Sequence, residues 1–183
     1  IYKDLTISNT GTIELPHSGS KLSGSIQSTA SFGRMSSTTA KIGDAEIKTL
    51  DDGKYLFVGA DVGTNVTGVT GDDLIGFGYK VLSALPGTAR RNVAMGTDTQ
   101  NVNTNGKDNT SMGYTALKEQ GDGDNNTAIG SAALYSLTSG SHNTAVGQIA
   151  LASVTTGGQN VAFGRGAAYS LSGAGTGVTA IGY

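Results

Sequence analysis

The stretch N-T-A-I-G-S-A-A-L (126–134) returns seventeen residues later as N-T-A-V-G-Q-I-A-L (143–151). Working outward, the same core reads N-V-A-F-G at 160–164, N-T-S-M-G at 109–113 and N-V-A-M-G at 92–96. The closing glycines Gly96, Gly113, Gly130, Gly147 and Gly164 keep the step of 17 throughout. A further copy, V-T-A-I-G, closes at Gly182 after 18 residues, and weaker ones close at Gly78 and Gly59. Eight copies therefore run from residue 56 onward.

Repetition at this short period decides the fold class. No 17-residue unit can bury its own apolar residues, so successive units must stack and share one core. The columns that keep their chemistry show how. Asn92, Asn109, Asn126, Asn143 and Asn160 form one. Ala94, Ser111, Ala128, Ala145, Ala162 and Ala180 form a small column, and Met95, Met112, Ile129, Val146, Phe163 and Ile181 a large apolar one. Leu82, Leu117, Leu134 and Leu151 recur four residues after the glycine. A second glycine column is Gly106, Gly123, Gly140, Gly157 and Gly175. In a strand, the Thr and large apolar residues of T-A-φ-G share one face and Ala takes the other. The glycines mark corners that need positive φ or close backbone approach. G-D-G-D-N-N (121–126) and S-G-S-H-N (139–143) supply turns. Stacked asparagines can form amide ladders. The expectation is an all-β, elongated parallel β-solenoid or β-roll. Gly130–Leu137 also fits a short helical turn, but it runs under three turns, a length at which isolated helices are marginal.

Composition agrees with a thin body. Of 183 residues 29 are glycine, aromatics make up 6%, and there is no Trp or Cys. Large rings usually fill a wide core; here Ala, Val, Ile and Leu must do it. With so little interior per chain, burial between chains is the expected remedy, in a parallel homotrimer.

Residues 1–55 precede the clear repeat, which occupies 56–183. Leu5, Ile7, Ile13 and Leu15 alternate around Asn9-Thr10-Gly11 and predict a short hairpin. Residues 17–41 are rich in Ser, Thr and Gly, with Phe32 and Met35 as core or interface residues, and 40–50 predicts a second strand pair.

Reactive chemistry is sparse. The two histidines, His17 and His142, sit in turn contexts with no identifiable triad partners. Asp122 and Asp124 lack the spacing and bidentate Glu of a calcium loop. Neighbouring carboxylates at Asp51-Asp52 and Asp72-Asp73 would point to opposite faces of a strand. No phosphate-binding G-x-x-x-x-G-K-[ST] occurs. A net charge of −2, with Arg90-Arg91 as the longest basic cluster, gives no case for nucleic acid. No apolar run reaches 18 residues, so membrane insertion is not expected. The expectation is a non-enzyme with no catalytic, cofactor or metal residues, whose key positions are structural: Gly59, Gly78, Gly96, Gly113, Gly130, Gly147, Gly164, Gly182 and the five asparagines.

The motif N-T-A-φ-G-x-x-A-L, best seen in 126–134 and 143–151, resembles the head repeats of trimeric autotransporter adhesins. It resembles more closely the repeats that precede self-cleaving chaperone domains in phage tail fibres and tailspikes. The match covers 92–183 well and 56–91 loosely, and the repeat is longer than the adhesin one. S-G-S-I-Q-S-T-A-S-F-G-R-M-S-S (23–37) is similar to Ser/Gly-rich strands of marine phage structural proteins. The resemblance implies a trimeric fibre on the virion, acting in host attachment as spacer or receptor-binding shaft. Its partners would be two copies of itself, other virion tail proteins and a host-surface glycan or protein. The chain stops within a repeat, which implies a truncated or processed fibre. The alternatives are a bacterial surface adhesin segment and an environmental filament or ice-binding solenoid; the flat T-x-T arrays of the last are absent.

Overall fold

A computed structural model describes residues 37–42, 45–50, 55–67, 73–86, 88–102 and 105–183. The predicted hairpin at 5–15, His17, Phe32, Met35, Asp51-Asp52 and Asp72 lie outside the described residues.

The described chain is all-β. Strands β1 (Ser37–Ile42) and β2 (Ala45–Leu50) pair antiparallel, and β2 pairs antiparallel with β3 (Tyr55–Gly59). From β3 onward every pairing in this sheet is parallel. After β4 (Asn65–Thr67) come β5 (Leu74–Tyr79), β6 (Ala84–Pro86) and β7 (Val93–Thr97). The series ends with β8 (Thr110–Met112), β9 (Thr127–Ile129), β10 (Thr144–Val146), β11 (Val161–Phe163) and β12 (Thr179–Ile181). The ten-stranded sheet has the order β1-β2-β3-β5-β7-β8-β9-β10-β11-β12, while β4 and β6 form a separate parallel pair. Each repeat contributes one strand to this sheet at the same place in its coil, so the chain is a β-solenoid with one coil per repeat. Seven steps at the inter-strand spacing make the parallel stack about 34 Å tall.

Register follows the repeat. Ala128 pairs with Ala145 and Ala145 with Ala162, so equivalent residues sit above one another. Backbone bonds run in both directions from each coil. Thr127 N–H donates to Asn143 O at 2.8 Å, and Gly147 N–H donates back to Ile129 O at 2.7 Å.

The core is narrow. Ala94, Ala128, Ala145 and Ala162 point inward from the strands and are fully buried. Leu82, Leu117, Leu134 and Leu151 meet them from the opposite side of each coil, with Ala116, Ala133 and Ala150 beside them. At the N-terminal end Phe57 replaces the small residue, stacked on Tyr55 at 6.2 Å between ring centroids. The next coil accommodates that ring with Gly76, where an added Cβ would lie 3.0 Å from both Phe57 and Val62.

The segment after each strand is not helical. Within Gly130–Leu137, Ala132 and Leu134 have φ of 56° and 51°. Two left-handed residues one apart cannot continue a right-handed helix. This conformation turns successive amides toward opposite neighbours: Ala132 N–H reaches Tyr114 O in the coil before, and Leu134 N–H reaches Ala150 O in the coil after, at 2.8 and 3.0 Å. Left-handed backbone costs roughly 1–2 kcal/mol per residue. Burying a leucine returns about 1.5–3 kcal/mol, and the inter-coil bonds are satisfied as well.

Candidate functional site

Two ladders dominate the repeat, one inside and one outside. The inner ladder is the asparagine column. Asn92, Asn109, Asn126, Asn143 and Asn160 are all fully buried. Each side chain does two jobs. Asn126 Nδ2 donates to Gly140 O at 2.9 Å, tying the strand start to the preceding-corner level of the following coil. Its Oδ1 accepts the Asn143 backbone N–H at 3.0 Å. Asn143 repeats the pattern, donating to Gly157 O and accepting from Asn160 N–H, at 2.9 and 3.2 Å. Asn160 ends it, accepting from Val178 N–H at 2.9 Å. Each amide thereby satisfies a buried carbonyl and a buried N–H that lack strand partners.

Both glycine columns belong to this scaffold, for different reasons. Gly130 has φ of 130°, and a Cβ there would lie 2.6 Å from the Gly147 carbonyl. Gly140 has no positive φ, but an added Cβ would strike the Gly157 carbonyl and sit 2.6 Å from Leu137 Cδ1. The first is excluded by conformation and space, the second by close approach alone.

The outer ladder is the large apolar column. Val58, Phe77, Met95, Met112, Ile129, Val146, Phe163 and Ile181 occupy matching positions on eight adjacent strands. They project away from the core, and Met112 and Phe163 are 45% and 58% exposed. The neighbouring outward column is apolar at Leu56, Ile75 and Val93, then mainly Thr, with Val161 among Thr110, Thr127, Thr144 and Thr179. A contiguous apolar stripe over eight coils exceeds the scattered apolar residues of an ordinary surface.

Polar corners carry the other residues of chemical interest. His142 and Asn125 hold left-handed corners directly before the asparagines, and His142 N–H donates to Asp124 O at 3.0 Å. Asp122 accepts from Asn105 Nδ2 at 2.8 Å, and Asp124 from Lys107 N–H at 2.8 Å. Asp73 sits at the equivalent corner of an earlier coil with φ of 63°. Arg91 does not stand free: it makes a two-pronged bond to Asp108, with both contacts at 2.6 Å. That pairing raises the Arg91 pKa and lowers that of Asp108. Among the described residues no group of three or more His, Cys, Asp or Glu is placed to hold a metal ion, and no helix is long and apolar enough to cross a membrane.

Tyr114, Tyr135, Tyr169 and Tyr183 lie outside both ladders. Tyr114 is 60% exposed at the corner after its strand. Tyr135 carries Lys118 Nζ at 5.8 Å from its ring centroid, and Tyr183 carries the Arg165 guanidinium at 5.2 Å. Ile149, Arg165, Gly166, Tyr169 and Tyr183 line a shallow open groove of about 280 Å³.

Sequence reasoning did not find the left-handed positions two and four residues after each strand glycine. The signal was nevertheless present. Glycine itself occupies these columns at Gly166 and Gly63, and the corner column at Gly177, each with φ between 55° and 70°.

The fold and its ladders define a β-solenoid repeat protein with an amide-laddered core and an apolar outer stripe. In comparisons with known proteins, the chain matches no family model, no curated protein and no solved structure.

Proposed function

We propose that the chain is a structural segment of a trimeric virion fibre, of the tail-fibre or tailspike kind, acting in host attachment mainly as a shaft. The outer apolar ladder carries this reading. A lone coil stack leaves eight large apolar positions facing water along one side. Three parallel copies around a common axis bury all three ladders with matched levels, which a closed cyclic assembly allows. The resemblance of the N-T-A-φ-G repeat to phage fibre repeats supports the virion setting. The regular coil supports the shaft role, because a receptor pocket generally needs irregular loops and from Gly96 to Gly164 the step never varies.

The test is immunogold electron microscopy with an antibody raised against the purified chain. Label on the tails of particles released by lysis is the expected result. Label confined to the envelope of intact bacterial cells would replace the virion reading with a surface adhesin.

A further inference from the structure

Two adjacent coils break the pattern of the core. Thr99 and Gln100 take the places filled by Val81 and Leu82 in the coil before, and by Ala116 and Leu117 in the coil after. In that following coil Ser111 replaces the inward alanine of its column, and Gln120 stands where Leu137 and Val154 stand later. All four polar or hydroxyl positions named are inward, and Gln100 and Gln120 are fully buried. The two amides are not satisfied. Neither Gln100 Nε2 nor Gln100 Oε1 has a hydrogen-bond partner, and Gln120 Oε1 has none, although Gln120 Nε2 donates to Gly123 O at 2.5 Å. The apolar core divides at this level: one buried cluster runs from Tyr55 to Ala94, the other from Ala116 to Ala167.

We propose that this polar layer is a built-in parting plane, at which the solenoid opens into two cooperative units before either unit unfolds. In a stacked repeat, stability is the sum of coil stabilities and nearest-neighbour interfaces. The interface between the coil of residues 92–108 and that of 109–125 lacks the leucine and alanine contacts of its neighbours. It also carries three buried polar atoms that water would satisfy on opening. Backbone bonds cross it as they cross other interfaces, with Gln100 N–H to Ala116 O at 3.1 Å, Gly113 N–H to Met95 O at 2.8 Å, and Thr115 N–H to Thr97 O at 2.9 Å. Side-chain bonds cross it too, among them Asn109 N–H to Asn92 Oδ1 at 2.9 Å and the Thr99 hydroxyl to Gly113 O at 2.5 Å, but none of them reaches the Gln100 amide. A shaft built this way bends or yields under load at one defined level and keeps both flanking units folded. The inference concerns the chain's own core and holds whether or not the virion reading does.

Native-state hydrogen exchange on the full chain tests it. Amides of Val93, Gln100, Gly113 and Thr115 report the proposed plane; those of Thr127, Leu134, Gly147 and Ile149 report an ordinary interface. The expected result is exchange about tenfold or more faster at the plane, the factor that one net buried polar penalty produces. Gln100→Leu with Gln120→Leu, each the residue found elsewhere in its own column, should erase the difference. Leu134→Gln with Leu137→Gln should create a second fast level at residues 126–142. Equal protection at both levels in the unaltered protein would overturn the proposal, and so would a contrast that survives in a folded Gln100→Leu, Gln120→Leu protein.

Discussion

Asn143 holds three buried groups at once: the Gly157 carbonyl, the Asn160 backbone N–H and the Asn160 side-chain amide. Replacing it with alanine leaves a buried carbonyl and a buried N–H unpaired, at roughly 1–3 kcal/mol each. Asn143→Ala should therefore lose about 3 kcal/mol or more in urea unfolding, whereas the same change at exposed Gln148 should stay within about 0.5 kcal/mol. The asparagine column was legible because the residue repeats without exception over five coils. The left-handed residues were not, because Leu134 and Ala132 carry no local sign of positive φ. Only the register between coils imposes that conformation on them. Ala132→Gly should relieve it. The gain is about 0.5–1 kcal/mol after the extra freedom of glycine in the unfolded chain is subtracted, read as a higher midpoint in the same titration.

The three-residue strand T-A-φ is the element on which both core and surface depend. Its alternation was readable, since period two places Ala opposite its neighbours. Which face is the interior was not stated by the pattern, because large apolar residues usually mark the core. The coil is too thin for them: with leucines from the far side meeting the strand, only an alanine-sized side chain fits inward. Two substitutions on neighbouring residues of β9 separate the faces. Ala128→Lys places a charge in a fully buried site, at a cost of several kcal/mol, and should abolish folding as seen by circular dichroism. Ile129→Lys projects outward, so the β spectrum should persist while association between copies weakens. Loss of the β spectrum in both proteins alike would show that the outer residue belongs to the fold itself.

At the scale of the whole molecule, the stacked coil was visible in the sequence through its constant step, and the height of the stack follows from the number of repeats. The antiparallel pairing of β1 and β2 onto the stack was legible only as a strand pair, since nothing in 37–50 repeats. The polar layer at Gln100 and Gln120 was hidden for the opposite reason: single polar residues in a Ser-, Thr- and Asn-rich chain stand out only once their columns are known to face inward. What the solitary chain does not bury is its outer ladder, and the proposed fibre requires two further copies to cover it. Sedimentation equilibrium of the purified chain at micromolar concentration measures this directly. The expected mass is about 55 kDa, three times the 18.4 kDa of one chain, shifting toward a single chain with Ile129→Lys. A stable species of 18.4 kDa for the unaltered protein, with the ladder left open to water, would contradict it.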